Sequence, residues 1–419
     1  MRLISLWIGK SVLLGLKLLN KRGAALPGLV VEKIYPNFLS KMLQTLPEGV
    51  VVISGTNGKT TTTKMLSAVL KGTGKKVLTN PTGSNFTRGV VAAIIADASW
   101  GGRLRQDIAI IELDEAYASK FVEHISPRMS VILNVMRDQM DRFGEIDHTA
   151  RLLQNVVSKT TDVVILNRDD SRVYAMRNQT KSQSMFFGVS HDLRAIYRND
   201  DELHGDISNT NTNTNATVEL LGVNDDKIVV KIEEVKYDIR LSLYGTYNAQ
   251  NACAVIATSL ALGLHPSDIV HNITNVTPAF GRGERIYIGE KRIILQLVKN
   301  PGGFRHALIG ATTVKDDHTM VAINDDYPDG RDVSWLWDVD FSALQGKSIS
   351  TAGMRAADMA LRLQYDEIPV EDYEQNLNTA LKQAILKVPD EGTLHVYATY
   401  TAMLKLRSLL STITEVEKV

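Results

Sequence analysis

Seven consecutive residues carry the densest chemistry in the chain: Gly55-Thr56-Asn57-Gly58-Lys59-Thr60-Thr61. The glycines let backbone N–H groups approach a phosphate, and a helix beginning at the lysine adds positive potential from its N-terminus. Lys59 supplies the charge that neutralises outer phosphates, and Thr60 offers a hydroxyl oxygen to Mg²⁺. Val50-Val51-Val52-Ile53 reads as a buried strand and Lys59 to Leu70 has helical spacing, so the loop has the strand-to-helix context that phosphate binding requires. It is shorter than the general pattern, with two residues rather than four between the first glycine and the Gly-Lys pair. Glu112 ends a second apolar run, Ile108 to Ile111, and offers the carboxylate oxygen that a hard cation bridging phosphates prefers. Asp114 and Glu115 are close enough in sequence to serve instead, or to be solvated loop acids. Asp332 closes the stretch Asp329-Gly330-Arg331-Asp332, where an aspartate also suits a plain turn. Asp325 and Asp326 read as a solvated turn pair. The single cysteine, Cys253, lies in the apolar run Asn251 to Val255 and reads as a small buried hydrophobe, not a nucleophile. The nine histidines show no metal-ligand spacing.

The elements needed to hold these residues are legible in the pattern. Short continuous apolar strands at 50–53, 77–78, 108–113, 131–133 and 163–166 alternate with helices, which predicts an α/β domain with a doubly wound parallel sheet covered on both faces. Residues 184–243 read as short strands, interrupted by the polar tract Asn209 to Asn215, which reads as an exposed loop. A helix returns from Tyr247 to Leu262. A second, smaller Rossmann-like α/β unit follows, with strands at 293–298, 320–323, 348–351 and 394–397 and helices including 354–363 and 373–388. The expected division is an N-terminal helical segment over 1–48, packed on a nucleotide-binding central domain over 49–284, then a C-terminal domain over 285–419, with the hinge at Gly281.

A length of 419 residues at about 150 per domain allows two to three domains. Lys plus Arg and Asp plus Glu both number 47, so the chain lacks the basic surplus of a nucleic-acid binder. One cysteine excludes an intramolecular disulfide and a cysteine-based zinc site, and fits a cytoplasmic setting. No apolar run reaches the roughly 18 residues of a membrane span. Leu3 to Leu19, interrupted by Lys10 and Lys17, predicts an amphipathic helix that either packs on the protein or contacts the inner face of a membrane.

The shortened loop is characteristic of the Mur ligase superfamily, and the following segments resemble that family in order. They are Asn134-Val135 with Asp138-Gln139-Met140-Asp141-Arg142-Phe143, then Asn167-Arg168-Asp169-Asp170, then Gly245-Thr246-Tyr247-Asn248-Ala249-Gln250-Asn251. The resemblance implies ATP and Mg²⁺ as cofactors: Gly55 to Thr61 would cradle phosphates, Thr60 and Glu112 would hold Mg²⁺, Asn251 would hold the adenine, and Arg282 would reach the phosphates from the domain linker. Two departures stand out. Gln139 replaces the histidine of the amino-acid-adding members, and no lysine occurs between Met140 and Lys159 where they carry a modified one, which puts a second metal site in doubt.

Lys299-Asn300-Pro301-Gly302-Gly303, Asp329 to Trp335 and Trp337 to Phe341 further resemble the MurT family, as do Lys21-Arg22-Gly23, Leu26-Pro27-Gly28 and Arg137 to Asp147. That resemblance implies ATP-dependent amidation of the D-glutamate α-carboxylate in the stem peptide of lipid II, through an acyl phosphate. Ammonia would come from GatD, a separate glutaminase subunit. Asp332 would complete that subunit's Cys–His pair across the interface. Trp335 and Trp337 would be interface anchors or plain core. Many members insert a four-cysteine zinc ribbon; this chain has no such cysteines, so no zinc is expected. Two other readings stay open: a Mur-type or folylpolyglutamate-type amino-acid ligase, and an ATP-binding scaffold that activates the glutaminase.

Overall fold

The computed structural model describes residues 1–18, 25–80, 87–137, 146–198, 214–224, 227–241, 245–274, 276, 282–311 and 317–416, with side chains omitted at 17, 282, 310 and 311. The expected Gly281 hinge, the 138–143 segment and most of the Asn/Thr tract lie outside the described residues.

Strand β1 (Val50–Ser54) is buried along its whole length, as are β3 (Ile108–Glu112), β4 (Met129–Ile132) and β5 (Val163–Asn167). Continuous apolar, β-branched runs leave no polar face to solvate, so helices cover both sides. With β2 (Val77–Thr79), β6 (Gln183–Val189), β7 (Val218–Asn224), β8 (Lys227–Ile232) and β9 (Val235–Arg240) they form a nine-stranded sheet, ordered β2-β3-β1-β4-β5-β6-β7-β8-β9. It is parallel from β2 to β7; β8 and β9 extend it as antiparallel ribbons. One apolar layer packs beneath the helices Lys59–Gly72 and Thr246–Ala261. The other lies beneath Thr87–Asp97 and the N-terminal helices.

A second sheet has the order β10-β11-β15-β12-β13-β14. Its strands are β10 (Arg282–Ile288), β11 (Lys291–Leu297), β12 (His318–Ala322), β13 (Ile349–Ala352), β14 (Asp372–Glu374) and β15 (Thr393–Ala398). All but the β10 edge are parallel. The expected helix over 373–388 is corrected at its start. Residues 372–374 pair as an edge strand, and Asn376 caps the helix Leu377–Lys387 by accepting the N–H groups of Asn378 and Thr379. A capping asparagine stops the helix from running back into the strand.

The N-terminal helix Arg2–Leu18 packs on the protein. Lys10 turns inward and donates to the Ile95 carbonyl at 2.8 Å, at the end of Thr87–Asp97, where a cation suits the helix dipole. The next helix, Leu26–Ile34, meets Thr87–Asp97 backbone to backbone at Gly28, where a Cβ would lie 2.0 Å from the Arg88 carbonyl oxygen. No flexible side chain can yield there. Gly28→Ala is therefore expected to lower stability by about 1–3 kcal/mol. Chemical denaturation checks it; an unchanged midpoint would show that the two helices do not meet in this way.

Candidate active site

Strand register brings the chemistry together. Ile53 lies beside Glu112, and Ser54 beside Ile132, so the C-terminal ends of β3, β1 and β4 deliver Glu112, the 55–61 loop and Asn134 to one edge. That edge is where ligands bind in open parallel sheets. The chain turns sharply there because Gly55 (φ +129°) and Gly58 (φ +90°) adopt conformations that L side chains avoid. The loop is stitched to the strand next door. Thr56 N donates to Asn134 O at 3.1 Å, Asn57 N to Asn134 Oδ1 at 2.8 Å, and Asn134 Nδ2 to Asn57 O at 3.1 Å. The helix Lys59–Gly72 then starts with its first N–H groups at the mouth of the loop, where no intrahelical acceptor exists for them.

Each expected loop residue has a defined partner. Lys59 Nζ donates to the carbonyls of Gly55 and Thr56 and lies 3.6 Å from Glu115. Thr60 Oγ1 donates to Glu112 Oε1 at 2.6 Å. Glu112 is buried, and Asn80 clamps its backbone: Nδ2 donates to Glu112 O and Oδ1 accepts Glu112 N, both at 2.9 Å. Of the three acids, Glu112 meets the threonine, Glu115 is buried against the lysine, and Asp114 caps the helix Glu115–Phe121. Glu115 is thus no solvated loop acid. Burial, with Glu115 second, raises the Asp114 carboxyl above its ordinary range.

Asn251 is brought to the loop by Thr246–Ala261. A Cβ on Gly58 would lie 2.3 Å from Asn251 Oδ1, and Asn251 Nδ2 is buried with no hydrogen-bond partner among the described residues. A buried amide without a partner is costly, and at the rim of a cleft it suits a ligand acceptor. That cleft lies between the two sheets and is lined by Gly58, Tyr247, Asn251, Leu297, Lys299 and His306. Burial lowers the His306 imidazole to about 4, so it is neutral at pH 7.

The second sheet's side of the molecule contributes directly. Asn57 and Asn300 exchange side-chain amide hydrogen bonds, both at 3.1 Å, and Lys299 Nζ reaches Thr56 O at 3.5 Å. Asn300 Oδ1 also takes Gly303 N at 2.8 Å, opening the helix Pro301–Ala311. Sequence reasoning assigned no role to Asn80, Lys299, Asn300 or His306. Their partners lie at separations such as 32 and 243 residues, which no local pattern reports.

Asp332 is not in this cleft. It stands exposed beyond the C-terminal end of β12, where its Oδ1 accepts Ser334 N at 2.8 Å. The Ser334 hydrogen bonds hold its carboxyl below the usual range, so it is ionised at neutral pH. Asp329, buried nearby, accepts Thr401 N at 2.8 Å and anchors the turn at Gly330 (φ +86°). Asp325 is no solvated turn acid either: it accepts Arg355 Nη2 at 2.6 Å. Trp335 is half-buried against Phe304, whereas Trp337 is exposed, edge-on to Tyr365. The backbone of Arg282 opens β10; its side chain lies outside the described residues. Asn167, Arg168, Asp169 and Asp170 are buried and bonded within the protein; Asp170, for example, takes Val135 N at 2.7 Å and Val173 N at 3.0 Å. Burial pushes the Cys253 thiol up, as its role as a core residue requires. Among the described residues no group of three or more His, Cys, Asp or Glu is placed to hold a metal.

A short glycine loop between a buried strand and a helix, met by a carboxylate from the next strand and an asparagine from a later helix, defines a Mur-ligase-type protein. The "Mur ligase middle domain" profile matches residues 53–259 and the "MurT ligase C-terminal" profile residues 297–403. The MurT subunit of lipid II isoglutaminyl synthase (glutamine-hydrolyzing) from Streptococcus pneumoniae is 32% identical, over 93% of each chain. The corresponding Staphylococcus aureus (strain COL) subunit is 29% identical, over 84% of this chain and 85% of its own. The chain belongs to the MurT family. The fold is shared with the MurF ligase of Thermotoga maritima in complex with ADP, at a TM-score of 0.72 and 12% identity over 91% of this chain and 84% of that one. It is shared too with E. coli FolC in complex with DHPP and ADP, at 0.62 and 14% identity over 90% and 92%.

The Asn57–Asn300 pair gives a direct test of the shared site. In a double-mutant cycle, Asn57→Ala and Asn300→Ala are expected to couple by about 1 kcal/mol or more in stability. Additive losses would mean that the two domains do not meet through these amides.

Proposed function

We propose that this chain is the synthase subunit of a two-subunit amidating ligase. It uses ATP and Mg²⁺ to activate the D-glutamate α-carboxylate in the lipid II stem peptide, and a GatD-like glutaminase subunit supplies the ammonia. The observation that carries this reading is the convergence of Lys59, Thr60, Glu112 and Asn251 on one glycine loop, in a chain related to named MurT subunits over nearly its whole length.

The chemistry asked of these residues is modest. A carboxylate is a poor electrophile with a poor leaving group. Its oxygen attacks the γ-phosphorus and ADP leaves; ammonia then attacks the acyl carbon, and phosphate departs as the amide forms, with loss of a proton. Gly55, Thr56, Asn57, Gly58 and Thr61 cradle the phosphates, and Lys59 leaves its loop carbonyls and Glu115 for a phosphate oxygen. The Thr60 hydroxyl and the Glu112 carboxylate already converge and form an all-oxygen donor pair suited to Mg²⁺. When bound, Mg²⁺ spreads the phosphate charge. By the family resemblance, Asn251 would meet the nucleotide base and Arg282 would supply a cation for the phosphates.

Ammonia must be made where it is used, because free ammonia is protonated at neutral pH. Cys253 is buried and cannot make it. Asp332 is ionised and exposed, as an acid lent to a partner's Cys–His pair must be. Trp337 leaves an exposed aromatic surface five residues away, suited to the same partner. The reaction is assigned to the cytoplasm, at the inner face of the membrane. No helix among the described residues is long and apolar enough to cross one. No zinc is required by this scheme.

The test is co-expression with a GatD-like glutaminase and mass spectrometry of the stem peptide after incubation with lipid II, ATP, Mg²⁺ and glutamine. Amidation requiring both subunits and ATP is expected. Lys59→Ala should lower it by about 10²-fold or more with either glutamine or ammonia; full retention would leave only a scaffold. Asp332→Asn should lower glutamine-driven amidation by about 10²-fold or more and spare the ammonia-driven reaction. Loss of both would remove Asp332 from the glutaminase site.

A further inference from the structure

The N-terminal helix Arg2–Leu18 is apolar on two faces, and only one is used. Its inner face packs through Leu6, Gly9 and Lys10 on Val31 and Ile95. Its outer face is the stripe Ile4, Trp7, Ser11, Leu14 and Leu18, at the i, i+3, i+4 spacing of a continuous helical edge about 20 Å long. Ile4 is 52% exposed, Trp7 49%, Leu14 49% and Leu18 86%, with a lone serine as the polar member. A surface helix ordinarily turns charged residues to water on that side. Trp100, 57% exposed, widens the stripe: Trp7 Nε1 donates to the Trp100 backbone carbonyl at 2.9 Å.

Charge decides what such a face meets. Residues 1–31 contain no Asp or Glu and, besides the inward-turned Lys10, four basic residues, Arg2, Lys17, Lys21 and Arg22. Arg103 and Arg105 stand exposed on the turn that follows Trp100. The nearest acids are engaged: Asp97 accepts from Gln106 Nε2 at 2.9 Å, and Glu32 lies 3.7 Å from Arg88. A second copy would set like charge against like charge. An anionic bilayer offers hydrocarbon for the stripe, an interfacial level for the two exposed indoles and phosphate charge for the basic residues.

We propose that this helix lies in the headgroup plane of an anionic membrane, with Ile4, Trp7, Leu14 and Leu18 inserted, and that it holds the catalytic domains at the bilayer surface. The inference stands on the helix alone and does not depend on the amidation reading. The test is co-sedimentation of the full chain with vesicles of phosphatidylcholine and phosphatidylglycerol in equal parts, and with phosphatidylcholine alone. Binding to the anionic vesicles, weakened by salt, is expected. The combined variant Ile4→Gln, Trp7→Gln and Leu14→Gln should bind about 100-fold more weakly. Its melting temperature and its amidation of a detergent-solubilised substrate should be unchanged, which separates failure here from failure of the proposed reaction. Should that variant fold poorly, brominated phospholipid is expected to quench wild-type tryptophan emission, and Trp7→Phe to remove part of that quenching. Absence of vesicle binding, equal binding by the variant, absence of quenching, or a wild-type dimer that the variant dissolves without any lipid binding would overturn the proposal.

Discussion

Everything at the site depends on one loop that must turn back sharply without closing on itself. Gly55 and Gly58 take positive φ so that the chain can leave a buried strand and enter a helix within four residues. The turn is pinned by Asn134, just past the end of the neighbouring strand, and by Asn300 from the second sheet. The mouth of the loop is left to the helix N-terminus, which presents donors that its own helix cannot satisfy. Gly58 has a second duty, because Asn251 approaches the space a side chain would fill. Lys59 and Thr60 inherit their positions from this turn; Glu112 comes from the end of the strand beside it and Glu115 from the start of the helix that follows.

The loop is also where the two halves of the molecule meet. Asn300 sits fully buried at the end of β11 and spends its amide on Asn57 and on the start of its own helix. The cleft beside the loop is therefore a property of both sheets, and Lys299 arrives at its edge from the second. Asp332 belongs to a different edge, beyond the end of β12, held by a turn that Asp329 ties to Thr401. One chain thus offers two separate places for chemistry, the glycine loop beside the cleft between the sheets and an ionised acid at the surface. In the MurT reading the first activates a carboxylate and the second helps a partner make the nitrogen that attacks it.

Much of this was legible in the residues. Continuous apolar runs announced the parallel sheet, and the glycine spacing marked the loop because only a few residue types permit that geometry. Glu112 was legible because parallel neighbours end together. The pairings Asn57–Asn300 and Asn80–Glu112 were not, since an asparagine reads alike whether it pairs across a domain boundary or faces water. The strand at 372–374 was absorbed into the following helix for a similar reason: three residues are too few to show a period. The outer stripe of the first helix was visible as apolar spacing, but which side remained bare depended on what covered the other.

The claim on which the account rests is that the 55–61 loop activates a carboxylate by phosphorylating it. Isotope transfer tests this most directly. The complex with its glutaminase is given lipid II labelled with ¹⁸O in the D-glutamate α-carboxylate, together with ATP, Mg²⁺ and glutamine, and the released phosphate is weighed. The account predicts one ¹⁸O in the phosphate for each amide formed. Amidation that leaves the phosphate unlabelled would contradict it.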